Sequence, residues 1–508
     1  MSREKIIEAL EKSPSGLSIS EIAEATGLHR NTVSKLIEEM EKSGEVGMKE
    51  VGKAKIYFLK TYEGIHKPLY GYRSPNISIG LGVSDLSDGF NAAVSAAKQA
   101  AMQASKGAMP TFSIVFVSSK YNSQIDKVVQ GINKILGTNW IGCTTDRELN
   151  SIIGYSEGSI QVLCIDTPHL YFGVGISEDY RKNPVEEGRK ATLQAIQNCP
   201  VDRSKFGTLE FIKGSKKDFR EIIKQPSYFI LTFISGLYFE NMQPNPGLEY
   251  EFLEGIKDVL GAFIPIVGAS AVSNVDDYVK NIGENYVFAN GRYYKNTGAV
   301  VCFVVSELYF SYNLSHGYVP KKNPAVITKV SGNGRIIEEI NNMPAVEEYS
   351  RIVGISKEEF LSKNMIITTQ YPISLLTYEG VLYPIACGIN PDGKTIFTFS
   401  RVHEHNIIDI GLYDEEKSIN ATKECLDGAI KGYEGSNIVV ALIFSCAGRR
   451  YMLGEKVNLD IEKAKEITGE APFIGFYSNG EIGGRRNSIS RYNNFTVTTL
   501  MLFDKLQV

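Results

Sequence analysis

Three times along the chain an extended apolar segment ends in a small polar residue, and this recurrence limits the fold more than any other feature. The segments are Ser113–Ser118 (SIVFVS), Phe229–Ser235 (FILTFIS) and Val440–Ser445 (VALIFS). Each is followed by a helical stretch and then by a strand that ends in glycine, at Gly142, Gly268 and Gly475. Six residues past each glycine stand Glu148, Asn274 and Glu481. Upstream, Ile79–Val83 precedes a helix over Asn91–Ala104, Tyr171–Gly175 precedes Pro184–Gln197, and Ile407–Leu412 precedes Ile419–Tyr433. Downstream, strand patterns return at Ser159–Ile165, Ala299–Val305 and Asn494–Leu502. The chain therefore reads as three strand–helix–strand–helix–strand–turn–strand units. Alternation of this kind predicts an α/β fold of mixed sheets flanked by helices. Residues 306–400, with Val326–Val330, the Gly332-Asn-Gly334 turn and Ile336–Ile340, read as a β-rich insertion between the second and third units.

The first sixty residues follow a different pattern. Ile6, Ile7 and Leu10 recur at helical spacing. Ser18 opens a second helix, with Glu21 three residues on as a capping box, and Gly27 ends it. A third helix begins near His29, with Val33, Leu36, Ile37 and Met40 on one side. Val46 and Val51–Leu59 then suggest two short strands joined at Gly52 and Lys53. Three helices and a basic hairpin resemble a winged helix-turn-helix. Its third helix would offer Arg30, Asn31, Ser34 and Lys35 to a major groove, where Arg and Asn bond base edges in pairs. Lys49, Lys53 and Lys55 would sit near phosphates. Residues 1–60 hold ten Lys/Arg and ten Asp/Glu, so affinity would lean on a homodimer or on charge segregation. A winged helix that binds protein rather than DNA is the alternative. Residues 61–76, with Gly64, Pro68, Gly71 and Pro75, read as a linker. The expected division is thus 1–60 winged helix-turn-helix, 61–76 linker, 77–305 and 306–508.

A formal charge of −4 gives the whole chain no attraction to a polyanion. Apolar runs such as Ile438–Phe444 fall far short of the roughly 20 residues that span a bilayer. Seven cysteines without a Cys-x-x-Cys pair fit reduced thiols, and a cytoplasmic protein with no membrane partner is expected.

In sheets of this type ligands gather at the carboxyl ends of strands. The repeated endings place Ser118, Ser235, Ser445, Gly142, Cys143 and Thr144 there, with Glu148 close behind; the plainer alternative is that these residues only permit tight turns. The densest polar group lies in the third unit: Ser445, Cys446, Arg449, Arg450, Tyr477, Asn479 and Glu481, followed by Arg485 and Arg486. Arg449 could fork to a ligand carboxylate and Glu481 could meet an ammonium, as an amino acid requires. Equally, the two could pair with each other and lock two loops.

Two further patterns are set aside. Gly388–Thr395 fits the expression of a phosphate loop, but Asn390–Gly393 is a turn signal and Thr395–Phe399 continues as a strand, so a hairpin is expected. His403 and His405 would share a strand face, yet no third metal ligand stands nearby.

The segments WIGCTTDREL, VITKVSGNGRIIEEINNMPAVEEYSRIVG, ALIFSCAGRRYMLG and FIGFYSNGEIG resemble the FIST sensor domains, over roughly residues 77–508. Asp146-Arg147 stands where the family has a small residue and a glycine. The resemblance implies a small-molecule receptor, with amino acids or related metabolites as ligands, wired here to a DNA-binding output. It implies no catalytic residue, metal or cofactor. The competing expectations are an enzyme with Cys446 or Cys143 as nucleophile and a protein-recruiting scaffold.

Overall fold

The structure is a computed structural model, and it describes residues 2–11, 13, 16–42, 46–51, 54–59, 71–202, 227–240, 243–245, 247–274, 283–377 and 380–507. The amino-terminal body has helices Ser2–Glu11, Ile19–Thr26 and Arg30–Lys42, then antiparallel strands Val46–Val51 and Ala54–Leu59. Leu17 pairs with Tyr57 and closes the wing against the helices. The capping box forms in full, because the Glu21 N–H reaches the Ser18 hydroxyl and Glu21 accepts from the Ser18 N–H. Gly27 ends the helix at φ 68°, a conformation that a Cβ would oppose. Ile6, Leu10, Ile22, Val33, Ile37, Met40 and Val46 make its core.

The remaining chain folds as three units, each with a leading strand, a helix, a core strand, a second helix, a glycine strand, a hairpin and a closing strand. In unit one these are Ser78–Ser84, Gly89–Ser105, Phe112–Ser118, Ile125–Leu136, Trp140–Thr145, the hairpin Arg147–Asn150 with Gly154–Ser156, and Ile160–Asp166. Unit two has Leu170–Ser177, Pro184–Asn198, Tyr228–Ile234, Glu249–Leu260, Ile266–Ser270, the hairpin Tyr286–Ala289 with Arg292–Lys295, and Ala299–Ser306. Unit three has Leu308–His316, Glu415–Ile430, Ile438–Cys446, Val457–Thr468, Phe473–Ser478, the hairpin Glu481–Gly483 with Arg491–Asn493, and Thr496–Leu506.

Every unit lays its strands in the order leading, closing, core, glycine, and then a hairpin follows. That hairpin always comes from another unit. Unit one takes the hairpin of unit two, unit two that of unit three, and unit three that of unit one. The exchange closes into a ring. The two helices of each unit cover the outer face of its sheet, while the inner faces share one central core. Phe116, Phe233 and Phe444, one from each core strand, meet there with centroids 5.5 to 6.0 Å apart.

Two sequence expectations are corrected by this topology. The leading strand of unit three is Leu308–His316, since it pairs with Thr496–Leu506 as the other leading strands pair with their closing strands. The insertion therefore lies inside unit three, and Ile407–Tyr413 belongs to it, paired with Tyr318–Pro320, Ala325–Ser331 and Ile373–Leu376. Within the expected linker, Gly71–Arg73 is an edge strand against Ser78–Ser84; residues 60–70 lie outside the described residues.

The insertion has its own core, including Ile327, Ile337, Tyr349, Phe360 and Ile408, and carries helices Ala345–Val353, Lys357–Ser362 and Asn364–Gln370. The Gly388–Thr395 segment is a hairpin turn, with Cys387–Ile389 paired to Ile396–Thr398 and Asp392 accepting from the Lys394 and Thr395 N–H groups. His403 and His405 are exposed in an irregular loop rather than on a strand. Among the described residues no helix is long and apolar enough to cross a membrane.

Candidate functional site

The three glycines Gly142, Gly268 and Gly475 occupy equivalent places, and their purpose is close packing. A Cβ there would lie 1.7, 1.8 and 1.6 Å from the carbonyl oxygens of Val115, Thr232 and Ile443 on the parallel core strands. The strand pair could not form with any larger residue, so these glycines serve close strand packing rather than the tight turns that were the plainer alternative.

Register also separates the serines. Phe116, Phe233 and Phe444 pair with Cys143, Ala269 and Phe476, so two residues further on Ser118, Ser235 and Cys446 correspond. Ser445 is one step out of line and faces the outer helices, because alternate residues of a strand point to opposite sides. There it accepts a hydrogen bond from the Arg449 guanidinium.

Arg449 is only 2% exposed and forks onto Asp460 of helix Val457–Thr468 at 3.0 and 3.2 Å, with a further bond to the Ser418 carbonyl at 2.9 Å. The Tyr477 hydroxyl donates to the same carboxylate at 2.9 Å, and Thr422 donates as well. Arg449 thus sits in an internal network with Asp460, Tyr477, Thr422, Ser445 and the Ser418 carbonyl. Asp460 carried no motif that singled it out in the sequence.

Glu148 and Glu481 are equivalent in a second way. Each accepts from a hydroxyl three residues earlier, Thr145 at 2.7 Å and Ser478 at 2.7 Å. Each also accepts from the backbone and hydroxyl at the start of the closing strand, Ser159 at 3.2 and 3.1 Å and Thr496 at 3.2 and 2.9 Å. Both are fully buried. Burial pushes Glu148 up to about 7 and Glu481 up to about 8 against the opposing pull of these hydrogen bonds. They lock hairpin to strand. Neither pairs with Arg449.

Of the remaining candidates, Ser118 caps the turn at Lys120, Ser235 donates to the Gly298 carbonyl, and Thr144 bridges to Tyr286. Cys143 lies in the central core. Burial drives the thiols of Cys143 and Cys446 far above their ordinary range, the opposite of what a nucleophile needs.

A cavity of about 440 Å³ opens where unit three meets the insertion. Unit three contributes Cys446, Ala447, Gly448, Tyr451, Ser478, Asn479, Asn494 and Phe495; the insertion contributes Ile366, Thr369, Ala386 and Phe399; Leu237 comes from unit two. Of the twelve ligand-site residues expected from the sequence, the cavity lining holds Cys446 and Asn479 and none of the other ten. Phe495 has φ 58°, rare for an aromatic residue, and Gly448 leaves room for its ring: a Cβ at Gly448 would sit 2.6 Å from it. The Ala386 N–H donates to Asn494 at 3.0 Å and ties the two walls together. The insertion walls have no repeat to reveal them, so sequence comparison within the chain could not find Ile366, Thr369, Ala386 or Phe399.

At the amino terminus, Arg30, Asn31, Ser34, Lys35 and Lys55 are all exposed, opposite buried Val33, Ile37 and Met40. Lys53 lies outside the described residues, as does the side chain of Lys49.

Two matched regions define the class: residues 111–343 match the FIST N domain and residues 345–484 the FIST C domain. Residues 5–46 match the IclR helix-turn-helix domain. The chain therefore carries FIST N and FIST C domains behind an amino-terminal IclR-type helix-turn-helix, a DNA-binding module joined to a signal-sensing region. Among solved structures, a cyanuric acid hydrolase from A. caulinodans is 9% identical, with 84% of this chain and 99% of that chain covered at a TM-score of 0.32. PurLQS from Thermotoga maritima is 11% identical, with 84% and 73% covered at 0.19. No curated protein sequence matches the chain.

Proposed function

We propose that this chain is a one-component transcription regulator: a small molecule occupies the cavity between unit three and the insertion, and occupancy changes DNA binding by the winged helix. The observation that carries the reading is the pairing of a metabolite-sized cavity with an exposed polar helix face on one chain. Residues 1–60 serve as the reading head and residues 71–508, which include the Gly71–Arg73 edge strand, as the sensor. Arg30 and Asn31 reach base edges, while Ser34, Lys35, Lys53 and Lys55 hold the backbone. With no net charge over the first sixty residues, a homodimer supplies the missing affinity by engaging two half-sites. The protein works in the cytoplasm.

Footprinting of the full chain on DNA upstream of its own gene tests this. Two protected half-sites about one helical turn apart are expected, and Arg30→Ala weakens binding by about 1–3 kcal/mol. Absence of protection at any protein concentration contradicts the DNA-binding half.

A further inference from the structure

The chemistry of the cavity walls narrows the ligand, on the reading that this cavity is the sensor site. We infer that its occupant is an uncharged, largely apolar small molecule rather than a free amino acid. Among the described residues the walls hold no Asp, Glu, Lys or Arg side chain. Among the charged neighbours in sequence, Arg449 is engaged on Asp460, Arg450 on Glu157 and Tyr155, and Glu481 on Ser478 and Thr496. Two of the polar wall residues are engaged within the protein: Ser478 donates to Glu481 and Asn494 accepts from the Ala386 N–H, which leaves Thr369, Asn479 and Tyr451 as the other polar side chains of the wall. What faces the space is chiefly carbon, with the Phe495 ring held there by a left-handed backbone and by the glycine opposite it. A zwitterion entering such a space gives up the hydration of two charges and meets no counter-charge. An apolar molecule gives up little and gains the contact. Among the described residues of this wall there is no carboxylate fork and acidic partner of the kind that holds an amino acid.

The experiment is fluorescence titration of the full chain with the neutral probe N-phenyl-1-naphthylamine, followed by competition with the twenty free amino acids and with uncharged aromatic and aliphatic molecules. Two variants report on location. Ile366→Trp fills the cavity from a rim position that is 48% exposed, and Ala386→Phe fills it from a second lining position. Circular dichroism melting checks that each folds. The expected result is one probe site per chain, at least tenfold weaker in both variants, displaced by neutral molecules and untouched by amino acids. Should an amino acid bind in a manner sensitive to Ile366→Trp, the cavity remains the sensor site and the inference about ligand class is overturned. Should the probe bind equally well to both folded variants, or not at all, with no amino acid binding either, both the inference and the cavity reading fall.

Discussion

Glu481 is buried among hydroxyls and backbone N–H groups, and its carboxyl holds its proton up to about pH 8 instead of the ordinary 4.5. Between those two values the folded chain keeps a proton that the unfolded chain releases. Stability therefore falls as pH rises through this window and levels off above it, with a slope of at most about 1.4 kcal/mol per pH unit for the one group. Glu148, raised to about 7, adds in the same direction over a narrower span. Glu481→Gln mimics the protonated form and cannot titrate. Urea unfolding at a series of pH values should show near-native stability at pH 5 and a shallower decline toward pH 8; an unchanged slope contradicts the assignment. At this scale the sequence was half legible. The two glutamates do correspond, as their spacing from glycine implied, and each ties its hairpin to a closing strand. Ser445 was set beside Ser118 and Ser235 when Cys446 is their counterpart, because an alignment one residue out still matches serine to serine while reversing the face.

Each parallel pair of a core strand with a glycine strand rests on the absence of one methyl group. Gly475→Ala places a Cβ 1.6 Å from the Ile443 carbonyl oxygen, a backbone atom with no freedom to rotate away. The expected cost is several kcal/mol, at the severe end of single substitutions, and thermal melting or loss of soluble protein measures it. A melting temperature within a degree or two of the parent contradicts the close approach. The elements themselves were largely readable from periodicity and caps, with the winged helix the clearest part. The leading strand of unit three was missed because it lacks the glycines of its counterparts. In unit one, Gly80 and Gly82 admit the helix carbonyls of Ala100 and Ala96; in unit three, the small residue sits on the helix instead, as Gly428 beneath Asn313. Ile407–Leu412, with its own glycine, imitated the missing pattern.

The ring of exchanged hairpins makes the two FIST domains one folding body. A fragment ending at residue 305 leaves the sheet of unit two without Glu481–Gly483 and leaves the hairpin of unit one without Phe473–Ser478 to pair with. Unpaired edges of this kind aggregate. Residues 77–305 alone should thus give insoluble or non-cooperatively melting protein, whereas 71–508 should melt in one transition; an independently stable 77–305 fragment contradicts the interlock. The sequence displayed the three units but not the exchange, since a hairpin's own residues do not say which sheet will receive it. The cavity was out of reach for the same reason: most of its walls meet only after the insertion has packed onto unit three.

Coupling between cavity occupancy and DNA binding is what the proposed function requires, and anisotropy of a labelled DNA carrying the footprinted site measures it directly. The full chain is titrated with and without a protein-free small-molecule extract of the producing cells. The expected result is a change in DNA affinity of at least tenfold, about 1.4 kcal/mol of coupling, that is lost in Ile366→Trp. DNA affinity indifferent to the extract, or shifted equally in Ile366→Trp, would contradict it.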